Sequence, residues 1–343
     1  MTGTSYRGEM SNAVDWLAGT LPNPKGIRIA AVTQADEYGA DGLAGIEEAA
    51  RTHGFDLVSR LTYQLTDTDF STQAMALKES GVKYVFMATQ SRFTGRIVES
   101  CAKIGVLPSF IGGGFSFNPR IIADNPALKP VFEKHRKTSG PFAHWGEDVH
   151  GMQRMLDAVG RYAPDQKPDH LFIQGWTQAA IVTEILNRAD TMNDLTRQGI
   201  IKALETMEDL DLGGLSGRLS YGATRPEPPS RQTRMFEISV DDRYPDMLKP
   251  ITPFFTRGDR QESGRLSDHA EAALASPSGL VGHRPQRHLV SRGRFHAAIS
   301  GDGQSALIGP GLVRPVMRNA RETMRTPRTR TVPMSRRMPV GPS

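Results

Sequence analysis

The hydrophobic pattern of residues 27–39 predicts the element around which the chain is organised. Ile27, Ile29, Val32 and the alanines between them make a nearly continuous apolar run. Such a run is typical of a strand that is covered on both faces in a parallel sheet. The chain then turns polar and a helical pattern follows, so Tyr38 falls where a strand passes into a helix. In open α/β sheets ligands bind at that edge.

The same pattern of a strand followed by a helix recurs three times. An amphipathic helix is predicted over residues 4–20, and strands begin near residues 27, 57, 84 and 109, a spacing of 25 to 30 residues. This spacing is typical of right-handed βαβ crossovers. The fold class predicted from it is α/β, with a doubly wound parallel sheet.

Beyond Pro119 the pattern becomes mainly helical. Helices are predicted over residues 149–162, 174–189 and 195–207. The second of them is apolar around most of its circumference, and we expect such a helix to be buried. A pair of strands joined by a proline-rich loop is predicted over residues 215–221 and 235–240.

Charge and apolar content change abruptly near residue 256. Residues 1–256 carry 27 basic and 31 acidic side chains, whereas the last 87 residues carry fifteen arginines, no lysine and six acids. Fifteen of those 87 residues are Leu, Ile, Val or Phe. Low apolar content with high net charge predicts disorder. We therefore predict a disordered Arg/Pro-rich tail over residues 256–343.

The arginine-rich stretch at residues 324–337 suggests a phosphate-binding tail. No aromatic residue interleaves with its arginines to stack on bases, which disfavours a nucleic-acid partner. The tail is rich in residues that GC-rich codons encode, and lysine is absent from it. This favours an out-of-frame translation over a nucleic-acid module. A regulatory or nucleic-acid-associated protein that uses the tail is one alternative.

Candidate chemistry in the chain is sparse. The single cysteine, Cys101, excludes an intramolecular disulfide and lies on an apolar helical face, so we expect it to be buried. Four potential metal ligands fall within seven residues: His144, Glu147, Asp148 and His150. Their spacing matches no metal motif, and a helix start explains the acids, so no metal is predicted.

The glycines that follow the first strand do not form a dinucleotide-binding turn. Gly39, Gly42 and Gly45 have the spacing G-x-x-G-x-x-G and run into the helix. We therefore predict no cofactor. No serine, histidine and acid have the context of a nucleophile elbow, so we predict that the chain is not an enzyme. An enzyme built on a doubly wound sheet is a second alternative.

Neither a membrane span nor a leader is predicted. No apolar run approaches the ~18 residues that crossing a bilayer requires. The N-terminal residues lack the apolar region of a signal peptide. The sequence as written therefore predicts a cytoplasmic localisation.

The order of several short motifs identifies a family. These motifs are Asp36-Glu37-Tyr38-Gly39, Tyr63 with Asp69-Phe70, Gly105, Gly175-Trp176-Thr177-Gln178-Ala179-Ala180, Gly217-Arg218-Leu219-Ser220-Tyr221 and Phe236-Glu237-Ile238. Over roughly residues 5–255 their order and spacing resemble the type I periplasmic binding proteins. The resemblance is to the leucine/isoleucine/valine-binding branch of ABC-transporter solute receptors.

The resemblance implies two doubly wound lobes that close on a small ligand. Residues 5–121 would form the ligand-binding lobe, residues 122–212 would be helices of the other lobe, and residues 213–255 would be strands that return to the first. Family members begin with a long segment that builds the opening strands of the other lobe. The resemblance therefore implies an N-terminally truncated chain with an incomplete second lobe.

The resemblance also assigns candidate site residues. Tyr38 matches the first ligand-facing tyrosine of the family, and the second falls near Gln90 and Ser91. In the family an acid pairs with the ammonium group of the ligand, and the matching position in this chain falls near Gly114, where there is no acid. The resemblance therefore implies a ligand that differs from leucine. The full set of candidate ligand-binding residues is Tyr38, Glu37, Gln90, Ser91, Gly113, Gly114 and Trp176.

The implied function is that of a solute-binding receptor of an ABC transporter. It would capture a small polar molecule, such as an amino acid or a related compound, between its lobes. The implied partners are that small molecule and an ABC transporter permease. Family members are periplasmic or anchored at the cell surface.

Overall fold

A computed structural model describes residues 2–166, 170–222 and 228–258 of the chain. The prediction of a disordered tail falls outside the described residues, apart from residues 256–258. The part of the chain that is described folds into an α/β structure with one large sheet and one small one.

Nine strands occur in the described residues. They are β1 (Arg28–Gln34), β2 (Asp56–Tyr63), β3 (Tyr84–Ala88), β4 (Ser109–Gly112), β5 (Arg136–Gly140), β6 (Met207–Leu210), β7 (Leu219–Tyr221), β8 (Arg234–Ile238) and β9 (Leu248–Pro250). The first four lie where the hydrophobic pattern predicts them.

Nine α-helices occur in the same described ranges. They are α1 (Tyr6–Thr20), α2 (Glu37–His53), α3 (Ser71–Ser80), α4 (Ser91–Lys103), α5 (Arg120–Asp124), α6 (Lys129–His135), α7 (His150–Tyr162), α8 (His170–Thr191) and α9 (Arg197–Glu205). None of them has the length and apolar character needed to cross a bilayer.

The large sheet has seven strands in the order β2-β1-β3-β4-β5-β8-β9. The pairs among β1 to β5 are parallel, whereas β8 pairs antiparallel with β5 and β9 pairs antiparallel with β8 at the edge of the sheet. Helices cover both faces, since one apolar cluster joins the sheet to α3 and α4 and a second joins it to α1 and α2. The predicted doubly wound sheet is therefore confirmed.

Local chemistry explains where α2 begins and ends. The Asp36 side chain accepts a hydrogen bond from the Gly39 N–H at 3.0 Å, which caps the first turn. Gly54 ends the helix in a left-handed conformation with φ of 73°. The position of α2 is in this way encoded by residues next to it in sequence.

The three glycines of α2 lie where it crosses its neighbours. A Cβ at Gly39 would be 1.8 Å from the Gln34 carbonyl oxygen, and one at Gly45 would be 2.1 Å from the Arg7 carbonyl oxygen. A Cβ at Gly42 would be 2.6 Å from the Ala88 Cβ. Close packing accounts for this glycine spacing.

Two strand predictions beyond residue 119 need correction. The prediction of a helical region omits β5, which lies between β4 and β8 in the sheet. The two strands predicted over residues 215–221 and 235–240 are present as β7 and β8, but they do not pair with each other, because β7 pairs with β6 while β8 pairs with β5 and β9. The assignment of residues 122–212 to another lobe stays a prediction, and β5 within that range extends the large sheet.

Helices α7 to α9 surround two smaller apolar clusters. Trp145, Met155 and Ile173 belong to one, and Ile181 and Met207 belong to the other. The expected burial of α8 is incomplete, since Val182 is 53% exposed and Leu186 is 39% exposed. One apolar side of α8 therefore faces open space.

Candidate functional site

The carboxyl ends of β1, β2 and β3 are tied together by a polar network. The Tyr63 hydroxyl donates to Gln34 Oε1 at 2.9 Å and accepts from the Gln90 N–H at 3.1 Å. The Gln34 amide in turn donates to the Asp36 carboxylate. Gln90 is thus positioned by its backbone at the edge where ligands bind in such sheets.

Tyr38 packs at the same edge. Its hydroxyl donates to the Thr89 carbonyl oxygen at 3.4 Å, and its ring lies 4.6 Å from the Tyr6 ring in an edge-to-face arrangement. Burial, with the nearby Glu9 carboxyl second, raises the pKa of Tyr38 well above its ordinary value. Tyr38 is therefore a neutral side chain that joins α1, α2 and β3.

A cavity of about 710 Å³ opens beside this edge. Its walls come from the first residues of the chain and the start of α1, from the turns after β4 and β5, and from the side of α8 that carries Ile181, Val182 and Ile185. The volume lies within the range of about 300–1,000 Å³ that is usual for sites that bind small molecules. Most of the wall is apolar.

Glu9 of α1 is the buried acid of this cavity. Its side chain is 5% exposed, and its Oε1 accepts a hydrogen bond from the Gly114 N–H at 2.7 Å. A Cβ at Gly113 would come within 3.1 Å of Glu9 Oε2, so the lack of a side chain there leaves room for the carboxyl group. The sequence pattern left Gly114 without an acid, and the fold supplies one from residue 9.

Burial raises the pKa of Glu9 from 4.5 to about 7, and the hydrogen bond from Gly114 opposes part of this rise. The folded protein therefore holds this proton at pH values where the unfolded chain has released it. Inside the protein, burial raises the free energy of the charged carboxylate relative to the neutral carboxyl group. The stabilising contribution of the neutral carboxyl is complete below pH 4.5 and is lost as the pH rises toward 7.

We expect the Glu9→Gln variant to gain stability relative to the unmodified chain as the pH rises from 5 to 8. A pKa change of this size corresponds to about 3 kcal/mol in the free energy of unfolding. Urea denaturation at several pH values measures the difference. Glu99→Gln, on the surface of α4, is the control, and parallel pH profiles for the Glu9 variant and the unmodified chain would contradict the expectation.

A buried cation packs against Gly112 at the end of β4. Arg136 is 1% exposed, and its guanidinium donates to the Ser116 hydroxyl. Its Nε and Nη1 have no hydrogen-bond partner within the described part of the chain. Burial lowers the pKa of Arg136 to about 9. A Cβ at Gly112 would be 2.2 Å from Arg136 Nη2, so the glycine turn accommodates this side chain too.

A second buried polar network supports the wall formed after β5. His144 lines the cavity, and its Nδ1 lies 2.7 Å from Asp246 Oδ2. Glu147 accepts the His144 N–H at 2.6 Å and pairs with Arg234. No group of three or more possible metal ligands occurs in the residues that are described.

The predicted site residues differ in their relation to the cavity. Gly114 lines the cavity. Tyr38 is not among the described lining residues but packs against Tyr6, which is, and Gly113 adjoins the Glu9 carboxyl group. The remaining members lie outside the described lining, and they are Glu37, Gln90, Ser91 and Trp176. Glu37 is exposed at the start of α2, and Trp176 packs against the apolar cluster of α7 and α8.

Sequence reasoning missed Glu9, Tyr6 and Phe115. All three line the cavity. Tyr6 and Glu9 lie three residues apart and therefore share one face of α1, which is a pattern that could have marked them. Phe115 directly follows the glycines that the sequence analysis singled out.

A family model described as periplasmic binding protein matches residues 1–243. No curated protein matches the chain. The family match covers more than half of the sequence and includes every predicted site residue.

Several solved structures resemble the chain. A fatty acid ABC transporter substrate-binding protein from Thermomonospora curvata has a TM-score of 0.67 and 24% identity, over 75% of this chain and 64% of that one. A branched-chain amino acid ABC transporter protein from Thermus thermophilus with bound valine has a TM-score of 0.62 and 18% identity, over 74% and 66%. A solute-binding protein from R. palustris in complex with benzoate has a TM-score of 0.57 and 13% identity, over 74% and 66%.

The chain spans less than two thirds of the length of these three structures. At such identities the likeness establishes the fold, and the family model carries the assignment. Both agree with the resemblance found in the sequence. The chain belongs to the periplasmic binding protein family.

Proposed function

We propose that the chain acts as a solute-binding receptor of an ABC transporter, taking a small organic molecule into the cavity between α1, the turn after β4, and α8. The observation that carries the proposal is the family match over residues 1–243. The position of the cavity at the carboxyl edge of a doubly wound sheet supports it, because ligands bind there in this class of fold.

The structural neighbours are named as binding proteins for a fatty acid, valine and benzoate. All three ligands carry a carboxylate on an apolar body, and valine carries an ammonium group as well. The apolar side of α8 offers a surface for such a body in this chain. A transporter permease is the proposed partner, because receptors of this family deliver their ligands to one.

We infer that Tyr38 supports the cavity through Tyr6 rather than by touching the ligand. Its hydroxyl is engaged by the Thr89 carbonyl oxygen. Its ring packs against the Tyr6 ring, and Tyr6 lines the cavity. Gly114 is the predicted residue that we propose to contact the ligand directly.

We expect a tryptophan at Val182 to fill the cavity and weaken solute binding at least about tenfold. Val182 lines the cavity and is 53% exposed, so the larger side chain can be accommodated without disturbing the core. Titration calorimetry with a panel of small amino acids, amines, alcohols and carboxylates measures the change in affinity.

Leu171→Trp is the matched control for this experiment. Leu171 is also on α8 and is also 53% exposed, but it does not belong to the described cavity lining. The control should bind as the unmodified chain does. Equal affinities in both variants, or no binding of any solute in the panel, would contradict the proposed function.

A further inference from the structure

The polar end of the cavity is built around the Glu9 carboxyl group. The Gly114 N–H holds Oε1, and in the described part of the chain Oε2 accepts no hydrogen bond. No lysine or arginine pairs with Glu9 among the described residues. The cavity therefore presents a carboxyl group with one oxygen that is positioned by the backbone and one that is available to a donor.

Two aromatic rings flank this carboxyl group. Tyr6 lies one helical turn before Glu9 on α1, and Phe115 follows Gly114 directly. Their ring centroids are 5.9 Å apart at 67°, and both residues line the cavity. The Tyr38 ring packs against the Tyr6 ring in an edge-to-face arrangement and supports its orientation. Aromatic faces next to a carboxylate are a favourable environment for an ammonium group.

The cationic side chains near the cavity lie outside its described lining. Glu9 and Asp41 line the cavity, whereas the described lining contains no lysine or arginine, and the buried Arg136 packs against Gly112. Asp41 pairs with the exposed Arg7 at 3.3 Å, and His144 is occupied by Asp246. An anionic head group would meet a buried acid here, whereas a cation would gain a charge-assisted hydrogen bond.

The other end of the cavity suits an apolar substituent. Ile181, Val182 and Ile185 of α8 and Leu204 of α9 line it. These side chains carry no polar group, so the part of the ligand that they contact gains from leaving water. The cavity is thus amphipathic: Glu9 and the aromatic rings line it together with the aliphatic side chains of α8 and α9, and Gln174 and Gln178 of α8 belong to the same lining.

We propose that the cavity binds an organic ammonium ion, with its charged nitrogen between the Glu9 carboxylate, Tyr6 and Phe115 and its apolar substituent against α8. This inference rests on the proposed receptor function and specifies the substrate class of that same site. The rise in the pKa of Glu9 is consistent with it, because a bound cation would restore the charged form of a carboxyl that burial otherwise disfavours.

The test compares three probes of equal chain length and different charge: hexylammonium, 1-hexanol and hexanoate. Titration calorimetry on the full chain at pH 8 measures each affinity. We expect hexylammonium to bind at least about tenfold more tightly than the other two, which is the ratio that about 1.4 kcal/mol of charge-assisted contact produces.

Two variants show whether this preference comes from Glu9. Glu9→Gln keeps the size of the side chain and should abolish the preference for hexylammonium over 1-hexanol. Glu99→Gln, whose residue pairs with Lys103 on the surface of α4, should keep the preference. Thermal melts confirm that both variants are folded before affinities are compared.

Hexanol or hexanoate binding as tightly as hexylammonium would overturn the inference and leave the receptor proposal standing. The same holds if Glu9→Gln retains the preference. If the three probes and the wider solute panel all fail to bind, the proposed function itself fails, and the inference fails with it.

Discussion

Gly45→Ala is expected to destabilise the chain by about 3 kcal/mol, because the added methyl group has no space where α2 crosses α1. The new Cβ would lie 2.1 Å from the Arg7 carbonyl oxygen and 3.0 Å from the Arg7 Cα. Both are backbone atoms, so a rotamer change cannot relieve the overlap, and α1 must move. Urea denaturation measures the loss.

Gly160→Ala provides the matched control. Gly160 lies within α7, and a Cβ built on it meets no atom within 4 Å. Alanine favours the helix over glycine by about 0.5–1 kcal/mol, so this variant should be slightly more stable than the unmodified chain. A Gly45 variant as stable as the Gly160 variant would show that the helix crossing is looser than the structure indicates.

The same substitution is expected to disturb the cavity. Tyr6 and Glu9 lie on either side of Arg7 in the first turn of α1, and both line the cavity. A shift of α1 away from α2 therefore moves the acid away from the Gly114 N–H. Solute affinity of the folded fraction should fall in Gly45→Ala and stay unchanged in Gly160→Ala.

Glu147→Gln is expected to cost about 3 kcal/mol, because it leaves Arg234 without its carboxylate inside the protein. The Glu147 side chain is 3% exposed and that of Arg234 is 13% exposed, so water cannot replace the lost charge well. Arg234 keeps its hydrogen bond to the Thr252 carbonyl oxygen at 3.1 Å. Urea denaturation at neutral pH measures the change.

A double replacement and a surface control help to interpret the loss of stability in Glu147→Gln. Burial raises the pKa of Glu147 although Arg234 opposes the rise, which shows that desolvation offsets much of the attraction within the pair. Replacing both residues by methionine should therefore cost less than removing the carboxylate alone. Glu99→Gln breaks an exposed pair on α4 and should change stability by less than about 1 kcal/mol. Equal losses in Glu147→Gln and Glu99→Gln would contradict the expectation.

Strand β5 illustrates a limit of pattern reasoning. Its sequence, RKTSG, is polar, and a polar run predicts a loop. In the fold four of its five residues are buried, because β4 and β8 flank it. The Thr138 hydroxyl donates there to the Gly113 carbonyl oxygen at 2.9 Å, whereas Nε and Nη1 of Arg136 have no partner among the described residues.

Of the predicted site residues, Gly114 lines the cavity, and its position at the end of a parallel strand follows from the local pattern. Glu9 was missed because its partner lies 105 residues away, and a glutamate near a helix start is ordinarily solvated. Tyr38, which the resemblance implies as a ligand-facing residue, donates its hydroxyl to the Thr89 carbonyl oxygen, and its role in binding stays a prediction.

The residue pattern alone predicted the doubly wound sheet, the positions of β1 to β4 with their helices, and the family. These depend on hydrophobic period, capping residues and glycine spacing, which act over a few neighbouring residues. Three features became clear only in the folded protein: β5 lies within the large sheet, β7 pairs with β6, and Glu9 accepts a hydrogen bond from Gly114. Those outcomes depend on contacts between residues far apart in sequence, where burial changes what a polar side chain costs and what it can bind.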